Sequence, residues 1–479
     1  MQDREAKKHA LLELIKRDPE AVVDMLLELL EDVELLVERV KLLEQKLALN
    51  SRNSSNPPSS DGPNKPKPKS LRKSGKRKSG GQKGHPGKTL EFSKDPDETT
   101  EHTFSHCPIT GEPLGEKDIV NIIKRQVFDL PEPKLLVHEH LIYQYMNSKG
   151  DIVTAEVPEG VNAPLQYGKR FRSWLVYLSE YQLLPLNRIR KMCADLYGHS
   201  VSEDTILKAR RHCYEKLEAF EEQVKEVLAK CKIAHADETG LKISGTNHWL
   251  HTLCNQQYTF LGIHQKRGYA AIEAFGILER FTGRLVHDCW SAYFRLQNCE
   301  HSLCNPHLMR ELVFAEEELK QQWAGKMKQL LEDAYDYSKL PKGQGADTSK
   351  RGWHVRFGRI IAEGYRQNPD VPDPPDKKKK RGRKKKTKSR NLLERMDKYR
   401  DEILAFIWDT EIPFSNNQAE QDIRMVKVKQ KISGGFRTVH NANIFARIRS
   451  HISTAQKNKV SAWEALAKAF DGTFSLADY

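Results

Sequence analysis

The chain has 479 residues, 38% of them hydrophobic and 30% charged, and a formal net charge of +14. That length supports two to four domains with at least one sizeable core. No run of about 18 apolar residues occurs, which argues against a membrane span, and the charged start MQDREAKKHALLELIKRD lacks the apolar stretch of a signal peptide. Cytoplasmic residence, at the nucleoid, is therefore expected, and the eight scattered cysteines read as reduced thiols.

Residues 1–50 predict a helical coiled coil. Leu26, Val33, Val40 and Leu47 share one heptad position, and Leu29, Leu36 and Leu43 the other. A single amphipathic helix packed on its own domain is the alternative. From 51 to 95 the composition turns Ser/Pro/Gly/Lys-rich and cannot bury a core, so a disordered basic linker is expected. Residues 65–88 hold ten Lys/Arg and no acid, among them Lys76, Arg77 and Lys78, and residues 377–390 hold eleven and no acid. Without these tracts 58 cations face 65 acids, so the positive charge is concentrated in two segments suited to a polyanion such as double-stranded DNA. Solvated spacers are the plainer reading.

Residues 96–168 predict a small β-rich module, with KLLVHEHLIYQY as its best strand. Residues 169–230 read as helical. A turn at Gly198 and a cap at Ser202 give helix-turn-helix spacing, with Lys208, Arg210 and Arg211 as DNA-facing cations. Ordinary helix pairs share that spacing. From 231 to 305, KIAHADETGLKI, NHWLHTLCN, YTFLGIHQ and RLVHD read as strands of a mixed α/β sheet. A helical insertion, 306–410, carries the basic loop 368–390, and residues 411–479 return to the α/β core.

Three acids stand out. Asp237 and Asp288 each follow an apolar strand-like run, where α/β sheets place ligands. Glu420 begins a helix with Ser415 or Asn416 as its cap. Glu420, Arg424, Lys427 and Lys431 form one helical stripe beside the apolar stripe Ala419, Ile423 and Val426. A surface Glu–Arg pair accounts for the first two. Alternatively, two aspartates and a glutamate hold two Mg²⁺ ions about 3.5–4 Å apart, with cations below for phosphate. The cluster Cys299, His301, Cys304 and His307 has metal-like residue types but is too tight for tetrahedral geometry, so Cys304 and His307 are expected to pack structurally near the site.

The stretches SRNSSNPPSSDG, GGQKGHPGKTL, HADETGLKI, GILERFTGRLVHDCWSAY and HSLCNPHLMREL resemble transposases of the IS sixty-six family of bacterial insertion sequences. The resemblance implies an RNase H-like catalytic core of the DDE type, with Asp237, Asp288 and Glu420 as catalytic and metal-binding triad. It also implies Mg²⁺ as cofactor, with Mn²⁺ able to substitute, and cutting of transposon ends followed by joining of 3′-hydroxyls to target DNA. Partners would be the DNA, further copies of the chain through the coiled coil, and small accessory proteins of the element. Cys304 and His307 match a Cys-x-x-His recurrent in DDE transposases. Two features depart from the family. HCPITGEPL keeps only Cys107 of a Cys-x-x-Cys zinc module, which makes zinc there doubtful, and Gln421 stands where the family often has arginine. A non-catalytic, coiled-coil DNA-binding protein derived from a transposase is the competing reading.

Overall fold

The computed structural model describes residues 2–54, 89–340, 349–370, 386–472 and 476. Lys76, Arg77, Lys78 and most of the basic loop 368–390 lie outside the described residues. The chain divides into two units, one made of Met1–Lys69, Val157–Lys191 and Val201–Tyr479, the other of Ser70–Glu156 and Met192–Ser200. It is a mixed α/β protein of mainly helical content, with a helical N-terminal region. Among the described residues no helix is long and apolar enough to cross a membrane.

Helices α1 (Gln2–Arg17) and α2 (Pro19–Leu47) are separated at Asp18. The Asp18 carboxylate accepts from the Ala21 amide at 3.1 Å, and Pro19 occupies the first helical position, where no N–H is needed. The seven heptad residues Leu26, Leu29, Val33, Leu36, Val40, Leu43 and Leu47 are 48–80% exposed, so none is covered by the chain's own core.

In the smaller unit, β1 (Gln144–Met146) pairs antiparallel with β2 (Ile152–Thr154). The Asn147 side chain accepts from the Lys149 and Asp151 amides at 2.9 Å and closes the turn. Of KLLVHEHLIYQY only Gln144 and Tyr145 are strand. Of the rest, Tyr143 accepts one hydrogen bond from the Ala155 amide at 2.9 Å, and Leu136, Val137 and Leu141 stay exposed. An apolar run becomes sheet only where it pairs.

Helix α3 (Lys169–Val176) runs into a π turn at Tyr177–Tyr181, followed by α4 (Leu186–Tyr197), α5 (Glu203–Lys216) and α6 (Glu218–Lys230). Gly198 adopts φ +60°, and the Ser202 hydroxyl accepts from the Thr205 amide at 3.0 Å, so turn and cap stand where the sequence puts them. The main sheet comprises β3 (Ile233–Ile243), β4 (Thr246–Cys254), β5 (Thr259–His264), then, after α7 (Tyr269–Phe275), β6 (Arg284–His287) and β7 (Glu300–Leu303). Its order is β5-β4-β3-β6-β7, antiparallel from β5 to β3 and parallel from β3 to β7. At the start of β6, a Cβ on Gly283 would sit 2.5 Å from the carbonyl oxygens of Cys231 and Lys232. Neither backbone atom can yield, so Gly283→Ala is expected to destabilise by about 1–3 kcal/mol or more, read as an earlier midpoint in urea denaturation.

Helices α8 (Asn305–Glu317), α9 (Gln322–Ser338), α10 (Lys350–Gln367), α11 (Lys388–Lys398) and α12 (Arg400–Trp408) pack around buried Trp323, Met327, Phe357 and Leu393, a core of their own. The excursion begins and ends at one place: the Asn305 amide donates to the Phe414 carbonyl at 3.1 Å. Then follow α13 (Asn417–Ser433), α14 (Val439–Lys457) and α15 (Ala462–Asp471). Ile423 and Val426 of α13 are buried with Leu241, Ile243 and Leu250 of the sheet, and Ala419 is buried beside them on the helix, so the apolar stripe seats the helix there. After α13, Gly434 turns the chain at φ +71°. The Phe436 amide then donates to the Lys242 carbonyl at 3.0 Å, and Phe436 accepts from the Ser244 amide at 2.9 Å. A Cβ on Gly435 would meet the Lys242 carbonyl oxygen at 2.7 Å, which is why the pair is glycine.

Candidate active site

Asp237 is not at the end of its strand: β3 continues six residues to Ile243, paired with β4. It stands where parallel pairing with β6 gives out. His235 pairs with Val286 at the last parallel position, and Asp237 and Asp288 each lie two residues beyond, side by side. Alternation turns Asp237 to the same face as Leu241 and Ile243, the face α13 covers.

The charges crowd one another. Burial, then the charges of Glu238 and Asp288, and more weakly Glu420, push the Asp237 carboxyl well above its usual range; the hydrogen bond it accepts from the Glu238 amide opposes this. Burial also raises Asp288, against the Trp290 amide it accepts from and the guanidinium groups of Arg267 and Arg395. Its Oδ1 takes the Trp290 N–H at 3.0 Å. Glu238, on the opposite face of β3, is committed elsewhere: Arg267 Nε donates to it at 2.8 Å and the Tyr293 hydroxyl at 2.6 Å. Arg267 also lies over the Trp290 ring, 3.9 Å from its centroid.

Glu420 stands in the first turn of α13. Asn416 holds the cap position but caps nothing. Its Nδ2 donates to the Ala236 carbonyl at 2.8 Å, its Oδ1 lies 2.9 Å from His235 Nδ1, and its amide donates to Cys304 Sγ at 3.2 Å. Burial lowers His235's affinity for protons, so its Nδ1 serves as a neutral N–H donor to the amide oxygen. One side chain thus ties α13 to the strand segment bearing Asp237. Asp422, which the sequence reading did not single out, anchors the other side: it accepts from Lys457 Nζ at 2.8 Å and the Thr259 hydroxyl at 3.0 Å.

No ion pair joins Glu420 to Arg424 among the described residues. Its Oε1 instead lies 3.9 Å from Cys304 Sγ and 3.8 Å from His307 Nδ1. The latter is not a salt bridge, because burial lowers the His307 pKa to about 4 and keeps the ring neutral. Burial likewise raises the Cys304 thiol to about 12, with the Glu420 charge adding to it. The tight Cys/His cluster splits. His301 Nδ1 meets His287 Nε2 at 3.0 Å, Cys299 packs on the sheet core, and only Cys304 and His307 face Glu420. A cavity of about 180 Å³ opens beside them, lined by Asp288, Cys304, His307, Glu311 and Arg395 among others.

Of the expected DNA-facing cations, Arg424 and Lys431 are exposed on α13, and Lys208 and Arg211 on α5. Lys208 pairs with Asp204 at 2.7 Å, an exposed contact that phosphate can replace at little cost. Arg210 contradicts the expectation. It is 6% exposed and ion-paired with fully buried Glu180, because α5 packs this face against α3 and α14. Lys427 gives its ammonium to the Gly240 carbonyl.

The sequence profile of the Transposase IS66 family matches residues 164–444, more than half of the chain, including both aspartates, Glu420, Cys304 and His307. The chain belongs to the IS66 family of transposases. Residues 6–91 of this transposase also match a family of unknown function, DUF6444. No curated protein matches it. Among 13 matching chains of solved structures is one from the cryoEM structure of the simian T-cell lymphotropic virus intasome in complex with PP2A regulatory subunit B56 gamma. The two share 17% identity over 32% of this chain and 60% of that one, with a TM-score of 0.13.

Proposed function

We propose that this transposase cuts DNA at transposon ends and joins the freed 3′-hydroxyls to target DNA, on an RNase H-like core formed by residues 231–305 and 411–479. Asp237, Asp288 and Glu420 are its DDE triad. The observation that carries the reading is the juxtaposition of Asp237 and Asp288 two residues beyond the parallel β3–β6 pairing, with Glu420's charge felt at Asp237. Such a set fits hard divalent cations, since carboxylate oxygens are their preferred donors and the crowded negative charge is relieved by a cation. Two Mg²⁺ ions, or Mn²⁺ in their place, supply when bound the positive charge and Lewis acidity that phosphoryl transfer needs.

The chain's own groups prepare that step. Trp290 N–H orients Asp288, Asn416 sets the start of the Glu420 helix, and Arg267 and Arg395 add positive potential beside Asp288. Of the expected DNA-facing cations, exposed Arg424, Lys431, Arg211 and Lys208 meet the DNA backbone, Lys208 exchanging its Asp204 contact for phosphate. The exposed stripe of α2 suits pairing with a second copy as a coiled coil, bringing two ends together. The test is a Mg²⁺-dependent cleavage and strand-transfer assay on the element's own ends. Asp288→Asn should abolish both reactions while gel-shift binding of the ends persists. Full strand transfer by that variant, or DNA binding by the wild type with no cleavage in Mg²⁺ or Mn²⁺, would overturn the reading.

A further inference from the structure

Cys304, His307 and Glu420 form a constellation that the triad does not explain. Cys304 immediately precedes α8, His307 lies in its first turn, and Glu420 comes from the first turn of α13. Their donor atoms all lie within 4.8 Å of one another, and the contacts to Glu420 Oε1 are 3.9 and 3.8 Å. Around a tetrahedral zinc-class ion, thiolate, imidazole and carboxylate donors stand roughly 3.4–3.6 Å apart, from bond lengths near 2.0–2.3 Å. The two contacts to Glu420 thus need a contraction of a few tenths of an ångström, and the Cys304–His307 pair, within 4.8 Å, at most about one ångström. His307 Nδ1 is sealed from solvent and has no hydrogen-bond partner among the described residues, a state in which buried polar nitrogens are rarely left. The cavity lined by Cys304 and His307 leaves room for a water or substrate atom at a fourth position.

We propose that Cys304, His307 and Glu420 bind one thiophilic divalent cation of the zinc class, separate from the Mg²⁺ positions of the triad. A thiol and an imidazole are poor partners for Mg²⁺ and good ones for Zn²⁺ or Co²⁺. Binding releases the Cys304 proton to solvent and leaves the thiolate on the metal. Because Glu420 Oε1 serves this site, loading it restrains the carboxylate that the triad also needs. This last consequence for activity rests on the function proposed above, whereas the binding does not.

The experiment is cobalt(II) titration of the full chain, followed by absorption spectroscopy. The wild type should develop a thiolate-to-cobalt charge-transfer band that saturates at one cobalt per chain. Cys304→Ser should lose the band, and His307→Gln should weaken cobalt binding by more than the roughly 10–100-fold that loss of an outer hydrogen-bond partner costs. Asp237→Asn should keep the band. Serine retains an acceptor for the Asn416 amide, and circular dichroism checks that the variant folds; were it unfolded, His307→Gln decides on the same readout. A band that survives Cys304→Ser, an unchanged titration in His307→Gln, or no thiolate band in the folded wild type would overturn the site. A strand-transfer failure with the cobalt band intact would instead count against the function proposed above.

Discussion

Asp237→Asn is expected to make the metal-free transposase more heat-stable while reducing strand transfer by about a hundred- to a thousandfold, the scale seen when a charge-stabilising group is removed from a reaction centre. Burial and the neighbouring Glu238 and Asp288 charges raise this carboxyl in the folded chain. A group raised on folding contributes stability that is complete below its unfolded value, near pH 4, and is lost as pH rises through the folded value. Asparagine carries no charge and keeps an oxygen for the Glu238 amide, so it escapes that loss. In chelator, the melting temperatures of variant and wild type should differ little at pH 4 and separate as pH rises towards 8. For a unit this large each 1 kcal/mol corresponds to roughly 2–4 °C. Magnesium should then raise the wild-type midpoint and leave the variant nearly unmoved. A wild type more stable than the variant in chelator at pH 8 would contradict the crowding of charge.

The second large effect is expected at Asn416. Asn416→Ala removes the acceptor beside His235 and the donor to Ala236 in a buried place. Each abandoned partner costs about 1–3 kcal/mol, so a total near 2–4 kcal/mol is expected, less than a simple sum because water can enter. The larger consequence is positional, since Glu420 begins one turn later and its approach to Asp237 is set by this tie. Strand transfer should fall at least tenfold at temperatures where the variant is still fully folded by circular dichroism. Unchanged transfer under those conditions would mean that Asp422 and the apolar stripe alone hold the helix.

Most of the sheet region was legible because its signals are local. Four apolar runs in 231–288 became β3, β4, β5 and β6, and the stripe Ala419, Ile423 and Val426 named the face that packs. What escaped depends on partners distant in sequence. β7 is four residues, EHSL, opening on a charge and a histidine, and parallel pairing with β6 makes it a strand. Arg210 looks like its neighbour Arg211 until the π turn supplies Glu180. Asn416 sits where a cap belongs, yet the strand 180 residues earlier makes a stronger claim on its side chain. The cysteine–histidine cluster, too tight in sequence for one tetrahedral site, divides in the fold, where its four residues face three different surroundings.

The hydrogen bond between Asn305 and Phe414 has a consequence for how this transposase can change. The helical excursion leaves and rejoins the sheet at one closed doorway, the arrangement in which domain insertions are best tolerated. Its bulk can be enlarged, trimmed or reshaped without altering the spacing of the carboxylates on either side of the doorway. The helical core and the sheet are thus free to change at different rates.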